Sequence, residues 1–196
     1  MMLSLILVAA LSPTLVCPIT GAPVTDDSPS AALSGVQFRF KDVASRDAFL
    51  AAPKKALAKA TESGWTVGLS FFDPVARKSM ILSRDGKIRD ADVKAVATWT
   101  TYKGVLYPLG NRSAGAFNQD PAKFLVEPKS YTLFCPFLRQ DIASIERAPG
   151  YVDLAGMRYY LCCDRCLGMA RGELGGAGFD EAKRSAKEWV SLFSRG

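Results

Sequence analysis

The hydrophobic positions of the chain recur in three stretches that share one order of elements. Around Gly35, Gly104 and Gly156, aromatic and β-branched residues alternate with polar ones, which is typical of half-buried strands entered by a glycine turn. A helical pattern follows each strand, and Asp120-Pro121 predicts the start of a further short helix, since proline is tolerated in a first helical turn. The chain is therefore predicted to be an α+β protein built from small hairpin-plus-helix units.

A last amphipathic segment begins at Asp180. Its apolar residues fall on one face of a helix. We therefore predict a C-terminal amphipathic helix that caps the core. The residues on that face are Ala182, Ala186, Trp189, Val190 and Phe193.

Each of the three stretches opens with a short turn. The openings lie at Cys17-Pro18, Asp73-Pro74 and Cys135-Pro136, about 60 residues apart, which is the size of a repeat unit. A unit of this size buries too little apolar surface to be stable alone, so we expect three pseudo-repeats packed together around shared aromatic residues. The aromatic residues expected in that core are Phe38, Phe40, Phe49, Trp65, Phe71, Phe72, Trp99, Tyr107 and Phe117.

The chain begins with a short apolar segment. Residues 3–11 are too few to span a bilayer, which takes about 20 residues, but they suit the apolar region of a signal peptide. We predict a signal peptide over residues 1–12, export to the periplasm or the extracellular space, and no membrane span after cleavage. The alternatives are a cytoplasmic protein in which this segment is buried and a lipoprotein anchored at Cys17.

The chain contains no histidine and five cysteines. Without histidine it cannot form Ser-His-Asp or Cys-His catalytic sites, two-histidine zinc fingers or blue-copper centres. It also lacks a phosphate-binding loop, a dinucleotide fingerprint and a nucleophile elbow. We therefore predict that the protein is not an enzyme.

The net charge of +6 permits acidic partners. The 25 basic residues are scattered along the chain, with no run of five or more. Proteins that bind nucleic acid usually show a basic stripe or a base-stacking motif. We therefore expect no nucleic-acid partner.

Three cysteines of the third stretch form a candidate metal site. Cys162 and Cys166 stand in a C-x3-C arrangement where a strand meets a helix, and Cys135 lies in the turn upstream. Three thiolates make a soft site that suits zinc, Cu(I) or another thiophilic metal. Cys163, Asp164 or water can take the fourth position, and the sequence leaves this choice open.

Other uses of the cysteines remain open at this stage. In an exported protein, Cys135 can form a disulfide with Cys162 or Cys166, which would make the chain a disulfide-stabilised structural or interaction module. The chain can also be a thiol-redox protein that uses the adjacent Cys162 and Cys163 as its reactive pair. Cys163 and Cys166 satisfy the C-x-x-C spacing found in some redox proteins. Buried cysteines can also be inert parts of a core.

The third stretch resembles the YHS domain and the related TRASH metal-binding domain. The resemblance rests on Cys135-Pro136, on the run from Gly156 to Leu161, and on Cys162, Cys163 and Cys166 before a helix. It implies a small treble-clef-like fold, with Cys135, Cys162 and Cys166 as ligands. It also implies a role in capture, delivery or sensing of zinc, Cu(I) or heavy metals, with a membrane metal transporter or another protein as partner.

The resemblance divides the chain into a degenerate unit over residues 13–62, a second degenerate unit over residues 63–128, and a metal-binding unit over residues 129–196. The first unit keeps Cys17 but has Lys41 and Ser45 at the C-x3-C positions. The second unit has Asp73 in place of the first cysteine, with Gly110 and Ser113 near the other two positions. The resemblance therefore implies one metal site, in the third unit.

Overall fold

The structure, a computed structural model, describes residues 14–81, 83, 85–154 and 156–172. It combines α-helices with β-strands, so the predicted α+β class is confirmed. The predicted signal peptide over residues 1–12 and the helix predicted from Asp180 lie outside the described residues. Among the residues that are described, no helix is both long and apolar enough to cross a membrane.

The strands and helices are short. The strands are β1 (Ser30–Leu33), β2 (Val36–Arg39), β3 (Gly68–Ser70), β4 (Phe72–Asp73), β5 (Lys78–Ser79), β6 (Trp99–Tyr102), β7 (Val105–Pro108), β8 (Ser130–Thr132), β9 (Phe134–Cys135), β10 (Gln140–Asp141), β11 (Gly150–Leu154) and β12 (Met157–Leu161). The helices are α1 (Val43–Ala51), α2 (Pro53–Glu62), α3 (Asp90–Ala95), α4 (Ala114–Gln119), α5 (Pro121–Phe124) and α6 (Asp164–Arg171), with a 3-10 turn at Ile145–Arg147.

Two five-stranded sheets organise the described chain. The first has the strand order β1-β2-β3-β7-β6, and the second has the order β4-β5-β11-β12-β8. In the first sheet β2 pairs with β3, across the predicted boundary at residues 62 and 63. In the second sheet β5 pairs with β11, across the boundary at residues 128 and 129. Both boundaries that the sequence predicts are therefore bridged by backbone hydrogen bonds.

The three glycines singled out in the sequence lie at the turns of antiparallel hairpins, so the strands predicted around them are confirmed. Gly35 joins β1 to β2, Gly104 joins β6 to β7, and Gly156 comes directly before β12. Their φ angles are +77°, +77° and +84°, a left-handed conformation that glycine adopts without a steric penalty. Two-residue hairpin turns demand this conformation, which explains why the chain has glycine at these positions.

The helix starts follow from local capping chemistry. Asp120 caps α5 by accepting a hydrogen bond from the Lys123 amide at 3.2 Å, so the short helix predicted at Asp120-Pro121 is confirmed. Asp42 caps α1 in the same way, accepting from the Ser45 amide at 2.7 Å. Helix α1 thus begins at Val43, behind the first hairpin, and its cap is Asp42 rather than the Ser45-Arg46-Asp47 stretch that the sequence suggests. Helix α5 follows directly after α4.

Among the described residues the hydrophobic core is divided into two clusters, where the sequence suggested one shared core. Phe38, Phe40 and Phe49 pack around Cys17 in the first cluster. The second cluster extends from Phe71 and Phe72 to the strands and helix of the third unit. Most of the aromatic residues expected inside are buried, whereas three are only half-buried. Those three are Trp65, Trp99 and Tyr107.

Polar contacts fix β2 to the segment before α3. The Gln37 side chain both donates to the Ile88 carbonyl and accepts from the Ile88 amide, at 3.1 and 2.6 Å. Arg39, which is 3% exposed, pairs with Asp26 at 2.6 Å and with Asp90 at 2.9 Å. A buried guanidinium needs such paired carboxylates, so these contacts attach the second unit to the first.

Candidate metal centre

The first candidate ligand, Cys135, is the last residue of β9, directly before the turn that leads to β10. The Arg139 amide donates to the Cys135 carbonyl at 2.9 Å and closes this turn. The backbone amides of Phe137 and Leu138 hydrogen-bond the Cys135 sulfur, as does the amide of Cys162. The Cys135 side chain is fully buried, so the turn holds one sulfur atom inside the protein with its lone pairs surrounded by N–H groups.

Cys162 and Cys166 lie where β12 meets α6, the junction that the sequence predicts for them. Cys162 directly follows the last residue of β12, and Cys166 lies in the first turn of α6. Cys163 is the N-cap of this helix, and its sulfur accepts a hydrogen bond from the Cys166 amide at 3.4 Å. The end of β12 and the start of α6 thus place the thiols of Cys162, Cys163 and Cys166 close together along the chain.

The sulfur atoms of Cys135, Cys162 and Cys166 all lie within 4.8 Å of one another. The separation between Cys162 and Cys166 is 3.7 Å. Two sulfurs bound to one tetrahedral zinc at about 2.3 Å lie about 3.8 Å apart. The three cysteines are therefore close enough to hold a metal ion.

The other candidate groups are placed differently. The Cys163 sulfur lies 3.3 Å from that of Cys166 but is not part of the group of three. The Asp164 carboxylate pairs with Lys78 at 3.2 Å. Cys17 belongs to the first hydrophobic cluster, whereas Cys135 and Cys166 belong to the second. All five cysteines are free thiols in this structure.

Burial makes ionisation of the clustered thiols costly. It raises the pKa of Cys162 to about 11, and it raises the pKa of Cys166 as well. Burial acts in the same direction on Cys135, but the amides of Leu138 and Cys162 outweigh it and lower the pKa of that thiol. A bound cation would remove the penalty, because metal coordination deprotonates a thiol outright.

Neighbouring elements hold α6 and its cysteines in place. Gly150, the first residue of β11, approaches α6 so closely that a Cβ there would lie 2.7 Å from a methyl carbon of Leu167. The same Cβ would lie 2.6 Å from the Arg77 carbonyl oxygen. At its other end, α6 donates from Arg171 to the Ala76 carbonyl. The turn at residues 73–77 of the second unit thus buttresses the helix that carries Cys166.

That turn is built like the one at Cys135, with a carboxylate in place of sulfur. Asp73 is fully buried, and its Oδ1 accepts from the amides of Val75 and Ala76, both at 2.9 Å. Its Oδ2 accepts from the Gly110 amide at 2.9 Å. The sequence shows Asp73 only as a missing cysteine, because the Gly110 donor lies far along the chain.

The turn at Cys17 has amide donors at the equivalent positions. The Cys17 sulfur accepts from the amides of Ile19 and Thr20, two and three residues on, and from the amide of Lys41 behind the following hairpin. In all three turns the residue four positions after the acceptor has a positive φ. These residues are Gly21, Arg77 and Arg139, with φ of 73°, 52° and 52°.

The chain was compared with protein-family models, with curated proteins and with solved structures, and none of them matches it. Function is therefore inferred from the site. What the fold and the site define is an α+β protein with three convergent cysteines that can hold a metal ion.

Proposed function

We propose that this is a non-enzymatic metal-binding protein that holds one thiophilic ion on Cys135, Cys162 and Cys166. The observation that carries the proposal is the convergence of the three sulfurs within 4.8 Å, from two segments of the chain. Buried cysteines are common in cores, but an inert core gives no reason for three thiols to face one another. A cation bound by all three sulfurs would give such a reason.

Zinc and Cu(I) are the ions that suit this site best. Thiolates are soft ligands and select Cu(I), zinc and heavy metals over hard cations such as magnesium. Structural zinc sites are closed by four protein ligands, whereas sites that exchange a ligand keep one position open. Three sulfurs converge among the described residues, and a fourth position left to an exchangeable ligand would suit capture, delivery or sensing of the metal.

We further propose that the chain is a divergent protein of the YHS and TRASH type, with three pseudo-repeats of which only the third binds metal. The three equivalent turns support this proposal, since each has an acceptor that receives two local amides and one from behind a hairpin. A further correspondence is that β3 pairs in parallel with β7 and β8 pairs in parallel with β12, which are the second strands of the hairpins that turn at Gly104 and Gly156. The metal has been replaced by packing in the first two units.

A location outside the cytoplasm fits this role. The apolar residues 3–11 support an exported protein, in the periplasm or the extracellular space. A protein that captures or delivers metal there needs a recipient, and a membrane metal transporter is the partner we propose.

Metal content is the direct test. We expect anaerobically purified protein to contain about one equivalent of zinc or Cu(I), and the double variant Cys162→Ser, Cys166→Ser to contain less than about a tenth. The matched control is Cys17→Ser, which removes a buried thiol of the other cluster and should leave the metal content unchanged. Elemental analysis measures all three proteins.

Two results would contradict the proposal. One is wild-type protein that contains no metal and takes up neither zinc nor Cu(I) on titration. The other is a thiol count under denaturing conditions that finds one free thiol, since two disulfides would then occupy four of the five cysteines. We expect five free thiols in the metal-depleted protein.

A further inference from the structure

Cys163 and Cys166 are placed as a reactive pair. Their sulfurs lie 3.3 Å apart, closer than the 3.7 Å between Cys162 and Cys166. This is shorter than the separation of about 3.8 Å expected for two ligands of one tetrahedral zinc. The position of Cys163 therefore suits a reaction with the Cys166 sulfur better than joint coordination of one ion.

The two thiols differ in how they meet the solvent. Cys166 is fully buried in the first turn of α6, whereas Cys163 is partly exposed at the N-cap of the same helix. A small oxidant reaches Cys163 directly, while the nearby sulfur of Cys163 is available to the buried Cys166. This asymmetry is what a two-step thiol–disulfide exchange requires.

We propose that Cys163 and Cys166 form a redox switch: oxidation to a disulfide withdraws Cys166 from the metal site and releases the metal. The oxidant is a low-molecular-weight disulfide such as glutathione disulfide. The release of metal rests on the proposed function, whereas the disulfide itself does not.

The reaction balances as two exchanges. The Cys163 thiol gives its proton to solvent, and its sulfur attacks one sulfur of glutathione disulfide; the glutathione S–S bond breaks and one glutathione thiolate leaves. The Cys166 sulfur then leaves the metal and attacks the Cys163 sulfur, forming the Cys163–Cys166 bond and expelling a second glutathione thiolate. Each glutathione thiolate takes a proton according to pH. The two cysteine sulfurs supply both electrons, so the metal keeps its oxidation state.

The competing bond between the adjacent Cys162 and Cys163 is less favourable. Adjacent residues have Cα atoms about 3.8 Å apart, below the usual range of about 4.4–6.8 Å for a disulfide, so a bond between Cys162 and Cys163 is strained. The sequence alone favoured that adjacent pair for redox chemistry. The geometry points to Cys163 with Cys166 instead.

The experiment compares metal release from zinc-loaded wild-type protein and zinc-loaded Cys163→Ser. Serine is a good N-cap residue, so this variant keeps the start of α6. On addition of glutathione disulfide, we expect wild type to release its zinc and Cys163→Ser to release it at least about ten-fold more slowly. A chromophoric zinc chelator reports the release. Cys17→Ser, which keeps all of the cysteines around the site, should behave like wild type.

Disulfide mapping by mass spectrometry, performed on metal-free protein, is the second readout. A Cys163–Cys166 link supports the switch, whereas a dominant link between any other pair overturns it. Equal zinc release from wild type and Cys163→Ser also overturns it. If reduced wild type binds no zinc at all, the proposed function fails. The disulfide map of the metal-free protein still decides whether the Cys163–Cys166 disulfide forms.

Discussion

A single buried acceptor organises each of the three turns. In the third unit the acceptor is the sulfur of Cys135, and in the second it is the carboxylate of Asp73. A buried carboxylate is costly unless hydrogen bonds satisfy it. Asp73 meets this condition with three amides, from Val75, Ala76 and Gly110. The carboxylate thus gathers N–H groups around one point without a metal.

This role of Asp73 predicts a large effect of a small change. Asp73→Asn keeps one oxygen but places an NH2 group against either the local amides or the Gly110 amide. At least one buried N–H then faces a donor, which should destabilise the protein by about 2–3 kcal/mol. Urea unfolding measures the loss. The control is Asp120→Asn, an exposed cap at which asparagine works as well as aspartate, and no change is expected there.

Residue types and spacing made Cys135, Cys162 and Cys166 candidates for one site, while leaving disulfides and inert core thiols open as alternatives; the resemblance implied them as the ligand set. Cysteine followed by proline predicts a turn, and C-x3-C predicts a strand–helix junction, so both halves of the site have local signals. The proximity of Cys163 to Cys166 was less apparent, because it depends on Cys163 being the N-cap of α6 rather than the last residue of β12.

At the scale of elements, the hairpins and the start of α5 were predictable because glycine turns and capping residues act locally. The contacts of α6 were not. They depend on β5 of the second unit pairing with β11, where Gly150 pairs with Lys78. This pairing brings the Arg77 carbonyl, β11 and Leu167 together at one point. The sequence contains no local signal for such a meeting.

The close approach at Gly150 predicts that Gly150→Ala disturbs the metal centre from a distance. The added methyl group would overlap the Arg77 carbonyl and Leu167, and backbone atoms cannot move aside cheaply. We expect a loss of about 1–3 kcal/mol in unfolding free energy and weaker metal binding, since α6 must shift.

The matched control is Gly115→Ala in α4. There an added Cβ meets nothing within 4 Å, and glycine inside a helix is less favourable than alanine by about 0.5–1 kcal/mol. This variant should therefore be slightly more stable than wild type. Thermal unfolding with and without added zinc compares the two, and equal stability of the two variants would contradict the packing argument.

At the scale of the molecule, the sheets tie the predicted units together. Sequence patterns predicted the units but not the strand orders, because the pairings of β2 with β3 and of β5 with β11 join distant parts of the chain. The same holds for the core, which forms two clusters in the part of the chain that the structure describes. Contacts such as Gln37 with Ile88 depend on where two distant segments meet, and no local pattern encodes that.

The equivalence of the units can be tested by restoring a site. In the repeat that we propose, Cys17 corresponds to Cys135, and the Lys41 amide contacts the Cys17 sulfur as the Cys162 amide contacts that of Cys135. Ser45 is buried in the first turn of α1, four residues after Lys41, as Cys166 is four residues after Cys162 in α6.

The variant Lys41→Cys, Ser45→Cys should therefore bind a second metal ion on Cys17 and the two new thiols, raising the zinc content from about one to about two equivalents. The matched control is Lys41→Cys, Ala44→Cys, which adds the same number of thiols but places the second on an exposed position of α1, so it should stay near one. Elemental analysis after dialysis against a weak chelator distinguishes the two. If both variants bind the same amount of zinc, the first unit is not built on the plan of the third. The three cysteines would then form a site that is specific to the third unit, rather than the last remaining copy of a site that the other units have lost.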